Sequence, residues 1–209
     1  MQLLNTLVAH AIPWIPRALV QKISRRYIAG GDLAQAVERI RQLNAQGFSV
    51  TVDVLGETVA TAQQAESTAC AYQQLLQAIQ EHGLDATISV KPTALGLLLD
   101  QQECAQRLER LAALAAQHLT GVCIDMEDAS CTQLEIDLFS LLTTRYSNIS
   151  LALQAYLRRT YQDIEPLLRP GNSLRICKGI YLEEPSHWVD AAWRDRSAIN
   201  PHFLAHAAR

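Results

Sequence analysis

The segment GVCIDMED, residues 121–128, places three carboxylates directly after a short apolar run. The apolar residues predict a buried strand, and Asp125, Glu127 and Asp128 follow at its end. Buried carboxylates are costly unless they are paired, hydrogen-bonded or used in chemistry. Four other apolar runs also end in a charged or amide side chain: SVTVDVLGE (49–57), ATISVKP (86–92), ISLALQAY (149–156) and SLRICKG (173–179). We therefore expect five strands whose ends contribute to one site.

Helical segments separate these apolar runs. The spacing predicts strands near 49–55, 86–91, 121–126, 149–154 and 173–178, and helices near 61–82, 101–118, 132–143 and 161–168. A further segment begins near Pro185, and a last helix starts near Ile199. Strands that alternate with helices pair in parallel through right-handed crossovers. The sequence therefore predicts an α/β fold with a parallel sheet.

The two faces of the predicted strands differ in chemistry, because residues two apart share a face. One face is aliphatic: Val50, Val52, Val54, Ile88, Val90, Val122, Ile124, Leu151, Leu153, Leu174 and Ile176. The other is smaller and more polar: Thr51, Asp53, Thr87, Ser89, Lys91, Cys123, Asp125, Ala152, Gln154, Arg175 and Cys177. A doubly wound sheet buries both faces under helices, whereas a barrel has a distinct interior with its active site at the strand ends. We predict a (β/α)8 TIM-like barrel.

Barrels of eight units typically need about 250 residues. We count only five predicted strands, so we expect a barrel that is truncated after the fifth strand. Residues 48–209 form this partial barrel, and residues 1–47 form an N-terminal helical segment. Two helices are predicted around Pro13 and Pro16, and a third begins at Asp32, a plausible N-cap, and continues to Gly47.

Composition excludes several function classes. The chain has 18 basic and 21 acidic residues, so its charge gives no electrostatic case for nucleic acid. No apolar run approaches the roughly 20 residues that span a bilayer. Five cysteines without a CxxC pair indicate neither a disulfide framework nor a zinc knuckle, and a reducing cytoplasm fits best.

The converging polar residues leave several interpretations open. Asp53, Asp125, Lys91, Arg175 and Gln154 could be a buried ion-pair network that only closes the barrel. A metal site could use Asp53, Asp125, Glu127 and Asp128, although two nearby cations oppose a divalent ion. A Schiff-base enzyme could use Lys91 or Lys178. A cofactor site could use the cations and the amide to hold an electron-rich ring and its phosphates.

Five linked motifs narrow these interpretations. DVLGE (53–57), SVKPTALG (89–96), CIDMED (123–128), LQAYLRRT (153–160) and RICKGIYLEEP (175–185) occur in that order, preceded by RRYIAGGDL (25–33). Together they resemble the proline dehydrogenase family. The resemblance implies a distorted (β/α)8 barrel that binds FAD and oxidises L-proline to pyrroline-5-carboxylate by hydride transfer, in proline catabolism. It also implies that electrons pass to membrane quinone, so that the protein is cytoplasmic with peripheral contact with the inner membrane.

The resemblance also implies roles for individual residues. Lys91 is similar to the lysine that pairs with the substrate carboxylate, and Glu57 to a glutamate that closes the pocket against a late arginine. Asp125 is similar to the active-site aspartate, and Arg175 to the arginine beside flavin N5. Met126 and Gln154 are similar to other flavin-contacting positions, and Lys178, Gly179 and Ile180 resemble the stretch along the FAD ribityl chain and phosphates.

One departure from the family pattern limits the expected activity. The family's final helix supplies a tyrosine and a paired arginine that bind proline, and the residues up to Arg209 offer no match for them. We therefore expect residues 1–209 alone to be inactive and to bind FAD weakly. The alternatives are a lysine-dependent barrel lyase and an inactive fragment or assembly partner.

Overall fold

The computed structural model describes residues 28–181, 183–189 and 199–208. The two helices predicted around Pro13 and Pro16 lie outside the described residues. The chain divides into two units, Met1–Ser49 and Val50–Arg209. In the described part of the chain, no helix combines the length and the hydropathy needed to cross a membrane.

Helix α1, Leu33–Asn44, lies in the described part of the first unit. Asp32 adopts extended backbone and its Oδ1 accepts a hydrogen bond from the Gln35 N–H at 2.9 Å. This bond satisfies one of the free N–H groups at the helix start, which is the reason for the N-cap preference of aspartate. The predicted N-cap at Asp32 is confirmed, and the helix ends three residues before Gly47.

The second unit alternates strands with helices, as predicted. The strands are β1 Val50–Asp53, β2 Ala86–Val90, β3 Val122–Ile124, β4 Ile149–Gln154 and β5 Ser173–Cys177. The helices are α2 Ala62–Glu81, α3 Gln101–Gln117, α4 Thr132–Leu142, α5 Thr160–Leu167 and α6 Asn200–Ala207. Two short 3₁₀ helices, Pro92–Leu95 and Pro185–His187, follow β2 and β5.

The five strands form one parallel sheet in the order β1-β2-β3-β4-β5. Each strand therefore pairs with the strand that follows it in the chain. A doubly wound sheet reverses its strand order at a switch point, whereas a barrel keeps sequential order. The order confirms the barrel-like α/β class, and the edge strands β1 and β5 each pair with one neighbour among the described strands.

The difference between the two strand faces is also confirmed. Ile88, Val90 and Ile124 are fully buried beneath the helices. On the opposite face, Thr51 and Thr87 are exposed, and their Oγ1 atoms lie 3.2 Å apart. The face that carries the candidate site residues is therefore the polar face.

Helix α2 has a capping box at its start and a buried face along its length. The Thr61 side chain accepts a hydrogen bond from the Gln64 N–H, and the Gln64 side chain accepts one from the Thr61 N–H. Residues at helical spacing then enter the core: Ala65, Ala69, Tyr72, Leu75, Leu76 and Ile79. This packing brings Tyr72 beneath the ends of β1 and β2.

Candidate active site

Lys91 occupies the end of β2, immediately before the 3₁₀ helix that begins at Pro92. Its Nζ lies 2.7 Å from Asp53 Oδ2 and 3.6 Å from Asp125 Oδ2. Burial by itself lowers the pKa of Lys91, but the hydrogen bond and charge of Asp53, followed by the charge of Asp125, raise that pKa above its ordinary value. Lys91 is therefore held as a cation between carboxylates from the two flanking strands.

Arg175 on β5 reaches across the polar face to the same aspartate. One of its terminal nitrogens forms an ion pair with Asp125 Oδ1 and lies 3.4 Å from Ser89 Oγ. Asp125 Oδ1 also accepts the Met126 N–H at 3.0 Å. Asp125 is thus fixed between two cations, and the two positive and two negative groups predicted from the strand ends form one connected cluster.

Tyr72 belongs to this cluster and was not identified from the sequence. Its hydroxyl lies 2.6 Å from Asp53 Oδ1 and 2.8 Å from the Ser89 carbonyl, and its ring is fully buried. In the sequence Tyr72 resembles an ordinary core residue of an amphipathic helix. The only available signal was a tyrosine on an otherwise aliphatic face, since a buried hydroxyl needs a partner.

Glu127 links the loops that follow three strands. Its carboxylate accepts hydrogen bonds from the Thr93 N–H at 2.8 Å and from the Thr93 hydroxyl. Its backbone N–H donates to Glu135 Oε1 at 2.9 Å, and its carbonyl accepts from Gln154 Nε2 at 2.7 Å. Glu127 follows Asp125 by two residues and Thr93 follows Lys91 by two, so this junction fixes the loops that carry both site residues.

Gln154 supplies a buried polar atom suited to a bound group. Its Nε2 donates a hydrogen bond to the Glu127 carbonyl. Its Oε1 is buried and has no hydrogen-bond partner among the described residues. Arg175 Nε is likewise buried without such a partner. Buried polar atoms are normally satisfied, so these two atoms indicate a ligand that accepts and donates hydrogen bonds. A flavin ring carries both kinds of group, and the residues present therefore fit it.

The segment that follows β5 contains the other predicted flavin positions. Lys178 is half-buried, Ile180 is exposed, and Gly179 has a φ of +113°. A Cβ at Gly179 would lie 1.9 Å from Cδ1 of Tyr156, so the backbone approaches this ring too closely for any side chain. The Tyr156 hydroxyl donates to the Tyr181 carbonyl at 3.2 Å, so the same side chain contacts this segment at a second point.

Glu57 lies beyond β1 and is exposed. Its charge contributes to the raised pKa of Lys91, after the contributions of Asp53 and Asp125. Met126 is half-buried beside Asp125. The structure therefore brings Lys91, Asp125 and Arg175 into direct contact, whereas Glu57 lies at the margin of the cluster.

A cluster of one cysteine and two glutamates near the site has the residue types of a metal site. Potential ligand atoms of Glu127, Cys131 and Glu135 lie within 4.8 Å of one another. The Glu127 carboxylate already accepts two bonds from Thr93, and Glu135 accepts the Glu127 N–H. Burial, followed by the charge of Glu127, raises the pKa of Glu135 to about 9. A protonated Glu135 suits hydrogen bonding within the protein better than binding of a cation.

A wide depression of about 710 Å³ lies at the opposite edge of the sheet. Its lining includes Asp85, Thr87, Gly121 and Asn148, which precede or begin strands β2 to β4. In barrels of this class the chemistry occurs at the carboxyl ends of the strands. The cluster around Asp125 is therefore the better candidate for the active site.

Comparisons with known proteins identify the family of the chain. A family model described as "Proline dehydrogenase" matches residues 36–186. Proline dehydrogenase 2 of Bacillus subtilis (strain 168) is 38% identical over 190 residues, which cover 91% of this chain and 60% of the relative. Proline dehydrogenase 1 of Bacillus subtilis subsp. natto is 32% identical over 180 residues, which cover 86% of this chain and 58% of the relative.

The fold also matches a solved structure. The crystal structure of proline utilization A from Bdellovibrio bacteriovorus, inactivated by N-propargylglycine, superposes with a TM-score of 0.74 at 19% identity. The match covers 90% of this chain and 25% of that protein. The chain spans about 60% of the length of the Bacillus relatives. By its sequence, the chain belongs to the proline dehydrogenase family.

Proposed function

We propose that this chain carries the flavin-binding and proline-binding residues of an FAD-dependent proline dehydrogenase. The observation that supports this most directly is the Lys91–Asp125–Arg175 cluster at the strand ends, beside the buried and unpaired Oε1 of Gln154. The reaction converts L-proline to pyrroline-5-carboxylate. Loss of a hydride from C5 and of a proton from the ring nitrogen leaves the new C=N bond, so atoms and charge balance.

Lys91 is proposed to bind the carboxylate of proline. Its amine is protonated and half-buried, and it is held in place by Asp53 at 2.7 Å. A charge-assisted hydrogen bond in such a site is stronger than one in water. The contact exists before and during the reaction, so Lys91 contributes to binding rather than to the rate of the chemical step.

The polar face next to Lys91 is proposed to hold FAD, which supplies the two-electron acceptor for the hydride. Gln154 and Arg175 offer unpaired hydrogen-bonding atoms for the ring, with Met126 beside them. Lys178, Gly179 and Ile180 are proposed to follow the ribityl chain and the phosphates. Gly179 allows the backbone to lie against Tyr156, which fixes the path of this segment.

Arg175 and Asp125 are proposed to act together. Arg175 stabilises the negative charge that develops beside it as the hydride leaves proline, and Asp125 holds the guanidinium in a fixed orientation. Because Asp125 is already ion-paired before substrate arrives, the site needs little reorganisation. This arrangement is typical of electrostatic preorganisation.

Three further proposals follow from the family resemblance. Electrons pass from the flavin to membrane quinone, the protein is cytoplasmic with peripheral contact with the inner membrane, and Glu57 helps to close the pocket over proline. The exposed position of Glu57 at the margin of the site is compatible with a closing role.

A lysine-dependent lyase is the second candidate function. A lysine that attacks a carbonyl must be neutral, which requires a lowered pKa. The pKa of Lys91 is raised by Asp53 and Asp125. The structure therefore favours a cationic binding role for Lys91, and the dehydrogenase is the better proposal.

A chimeric protein tests the proposed function. Residues 36–186 of this chain would replace the matching region of Bacillus subtilis proline dehydrogenase 2. We expect the chimera to retain flavin and to catalyse L-proline-dependent dye reduction. A folded, flavin-containing chimera without this activity would contradict the proposal. The 209-residue chain, measured in parallel for flavin retention, tests the separate prediction that it binds FAD weakly.

A further inference from the structure

Tyr72 is a helix residue whose hydroxyl enters the charged cluster. It lies on α2, with its ring fully buried, and its hydroxyl lies 2.6 Å from Asp53 Oδ1 and 2.8 Å from the Ser89 carbonyl. The same oxygen accepts the Val54 N–H at 3.3 Å. The hydroxyl therefore contacts both strands, β1 and β2, at the point where each ends.

Asp53 uses its two oxygens for different partners. Oδ1 accepts from Tyr72, and Oδ2 lies 2.7 Å from Lys91 Nζ. The Asp53 side chain is 26% exposed, so nothing in its burial alone prevents it from turning toward solvent. The ion pair with Lys91 holds Oδ2, and the hydrogen bond from the buried tyrosine holds Oδ1 and opposes this rotation from the other side of the carboxylate.

We propose that Tyr72 is a positioning residue that fixes Asp53 and, through it, keeps the Lys91 amine charged and aimed into the site. This inference rests on the proposed function, which assigns the substrate carboxylate to Lys91. Tyr72 lies on helix α2. The other residues of the charged cluster lie on strands or directly after them.

The electrostatic surroundings of Lys91 give the expected consequence. Among the described residues, the ionisable groups around its amine are Asp53, Glu57, Asp125, Glu127 and, on the far side of Asp125, Arg175. Burial lowers the pKa of Lys91, and the Asp53 hydrogen bond makes the largest opposing contribution. If Asp53 turns away, Lys91 loses the hydrogen bond that opposes the effect of burial. The pKa of Lys91 then falls.

Tyr72 itself stays neutral. Burial, followed by the charge of Asp53, raises the pKa of its phenol far above the ordinary value. Its hydroxyl thus keeps its proton and can donate a hydrogen bond to Asp53.

The chain offers a clean measurement because it contains only three lysines, Lys22, Lys91 and Lys178. Lysine labelled with ¹³C at Cε gives three side-chain signals, and the Lys91→Arg variant assigns one of them. We would titrate these signals by NMR in the parent chain and in Tyr72→Phe, which removes one oxygen and keeps the ring. The matched control is Tyr146→Phe, whose hydroxyl bonds Glu109 away from the site.

We expect the pKa of Lys91 to fall by about one unit in Tyr72→Phe, as for loss of one hydrogen bond to a charged group. The other two lysines should be unchanged, and Tyr146→Phe should leave all three unchanged. In Asp53→Asn the pKa should also fall, and adding Tyr72→Phe to that variant should have no further effect. An unchanged pKa in Tyr72→Phe, or additive shifts in the double variant, would overturn the proposal.

A measurement on the parent chain covers the case in which Tyr72→Phe does not fold. The ¹³Cζ signal of Tyr72 should show no titration step near its ordinary pKa of 10.0, since the phenol is buried against Asp53. A step near that value would overturn the proposal. Neither readout contains proline or flavin, so failure of this inference is distinct from failure of the proposed dehydrogenase activity.

Discussion

The carboxylate of Glu127 accepts two hydrogen bonds from Thr93, one from its backbone N–H at 2.8 Å and one from its hydroxyl. Both residues are buried. The pair joins the loop after β2, which carries Lys91, to the loop after β3, which carries Asp125. Removal of the carboxylate would leave the Thr93 N–H buried without a partner.

The first prediction concerns this junction. Glu127→Ala should lower the free energy of unfolding by about 2–3 kcal/mol, since it leaves a buried donor unsatisfied and creates a cavity. Glu127→Gln should cost less than about 1 kcal/mol, because its amide can still accept from the Thr93 N–H and donate to the Thr93 hydroxyl. Urea unfolding of both variants checks this order. Equal losses in the two variants would contradict the assignment of the cost to an unsatisfied Thr93 N–H and a cavity.

The second prediction separates backbone strain from a steric clash. Gly179 and Gly171 both have positive φ, +113° and +91°, but only Gly179 lies against another group, the Tyr156 ring. Gly171→Ala should cost about 1–2 kcal/mol of stability from strain alone. Gly179→Ala should cost more than about 3 kcal/mol, because strain and overpacking add.

Thermal and urea unfolding of these two glycine variants provide the measurement. Flavin affinity of the chimera carrying each change provides a second readout. Gly179→Ala should weaken flavin binding and Gly171→Ala should not. A similar effect of both changes on flavin affinity would argue against a role for the segment after β5 in holding the cofactor.

The third prediction concerns pH. Burial raises the pKa of Glu135 from 4.5 to about 9, so between these values the folded chain keeps a proton that the unfolded chain has released. Stability from this group is therefore complete below pH 4.5 and is lost as pH rises toward 9. The slope should be about 1.4 kcal/mol per pH unit for one proton.

The Glu135→Gln variant is the control for this pH dependence. Its amide oxygen can still accept the Glu127 N–H, but it cannot titrate. The pKa of Glu127 is also raised, chiefly by burial, so part of the slope remains in the variant. Urea unfolding between pH 5 and 8 should give a steeper fall for the parent than for Glu135→Gln. Parallel curves would show that Glu135 is ionised in the folded chain.

The strands and their two faces are the parts of the fold that follow from the sequence. The alternation of Val50, Val52 and Ile88 with Thr51 and Thr87 predicts the strands and their faces, because burial repeats every two residues. The meeting of distant residues at one site follows from parallel pairing, which places every strand end at the same edge of the sheet.

Strand lengths are less well predicted because they depend on local hydrogen bonds. The sequence predicts the third strand over 121–126, whereas the strand ends at Ile124. The Asp125 N–H still donates to the Val90 carbonyl at 2.9 Å, but the Met126 N–H turns to the Asp125 side chain. The Asp125 side chain thus accepts the Met126 N–H in place of a carbonyl on a neighbouring strand. The pattern of apolar residues does not reveal such a side-chain acceptor.

The contacts of Tyr72 and Thr93 could not be predicted for a different reason. Tyr72 is 19 residues from Asp53, and Thr93 is 34 residues from Glu127. Each partner depends on the exact approach of a helix or a loop to a strand end. Residue type predicts that a buried hydroxyl needs a partner, but only the three-dimensional arrangement identifies it.

The fourth prediction distinguishes the roles of two cations in the chimera. Lys91→Ala should raise KM for L-proline about a hundredfold with a small change in kcat, because its contact is made before the chemical step. Arg175→Gln should lower kcat about a hundredfold, because its interaction strengthens only as charge develops. Steady-state kinetics check both. A kcat effect for Lys91→Ala with a KM effect for Arg175→Gln would contradict both assignments.

The most direct test of the proposed function is anaerobic addition of L-proline to the flavin-loaded chimera, followed by the visible absorbance of the flavin. We predict that L-proline bleaches the oxidised flavin and that D-proline does not. We also expect Arg175→Gln to slow the bleaching while flavin remains bound. A chimera that retains flavin but is not reduced by L-proline would contradict the claim that Lys91, Asp125 and Arg175 of this chain form a proline dehydrogenase site.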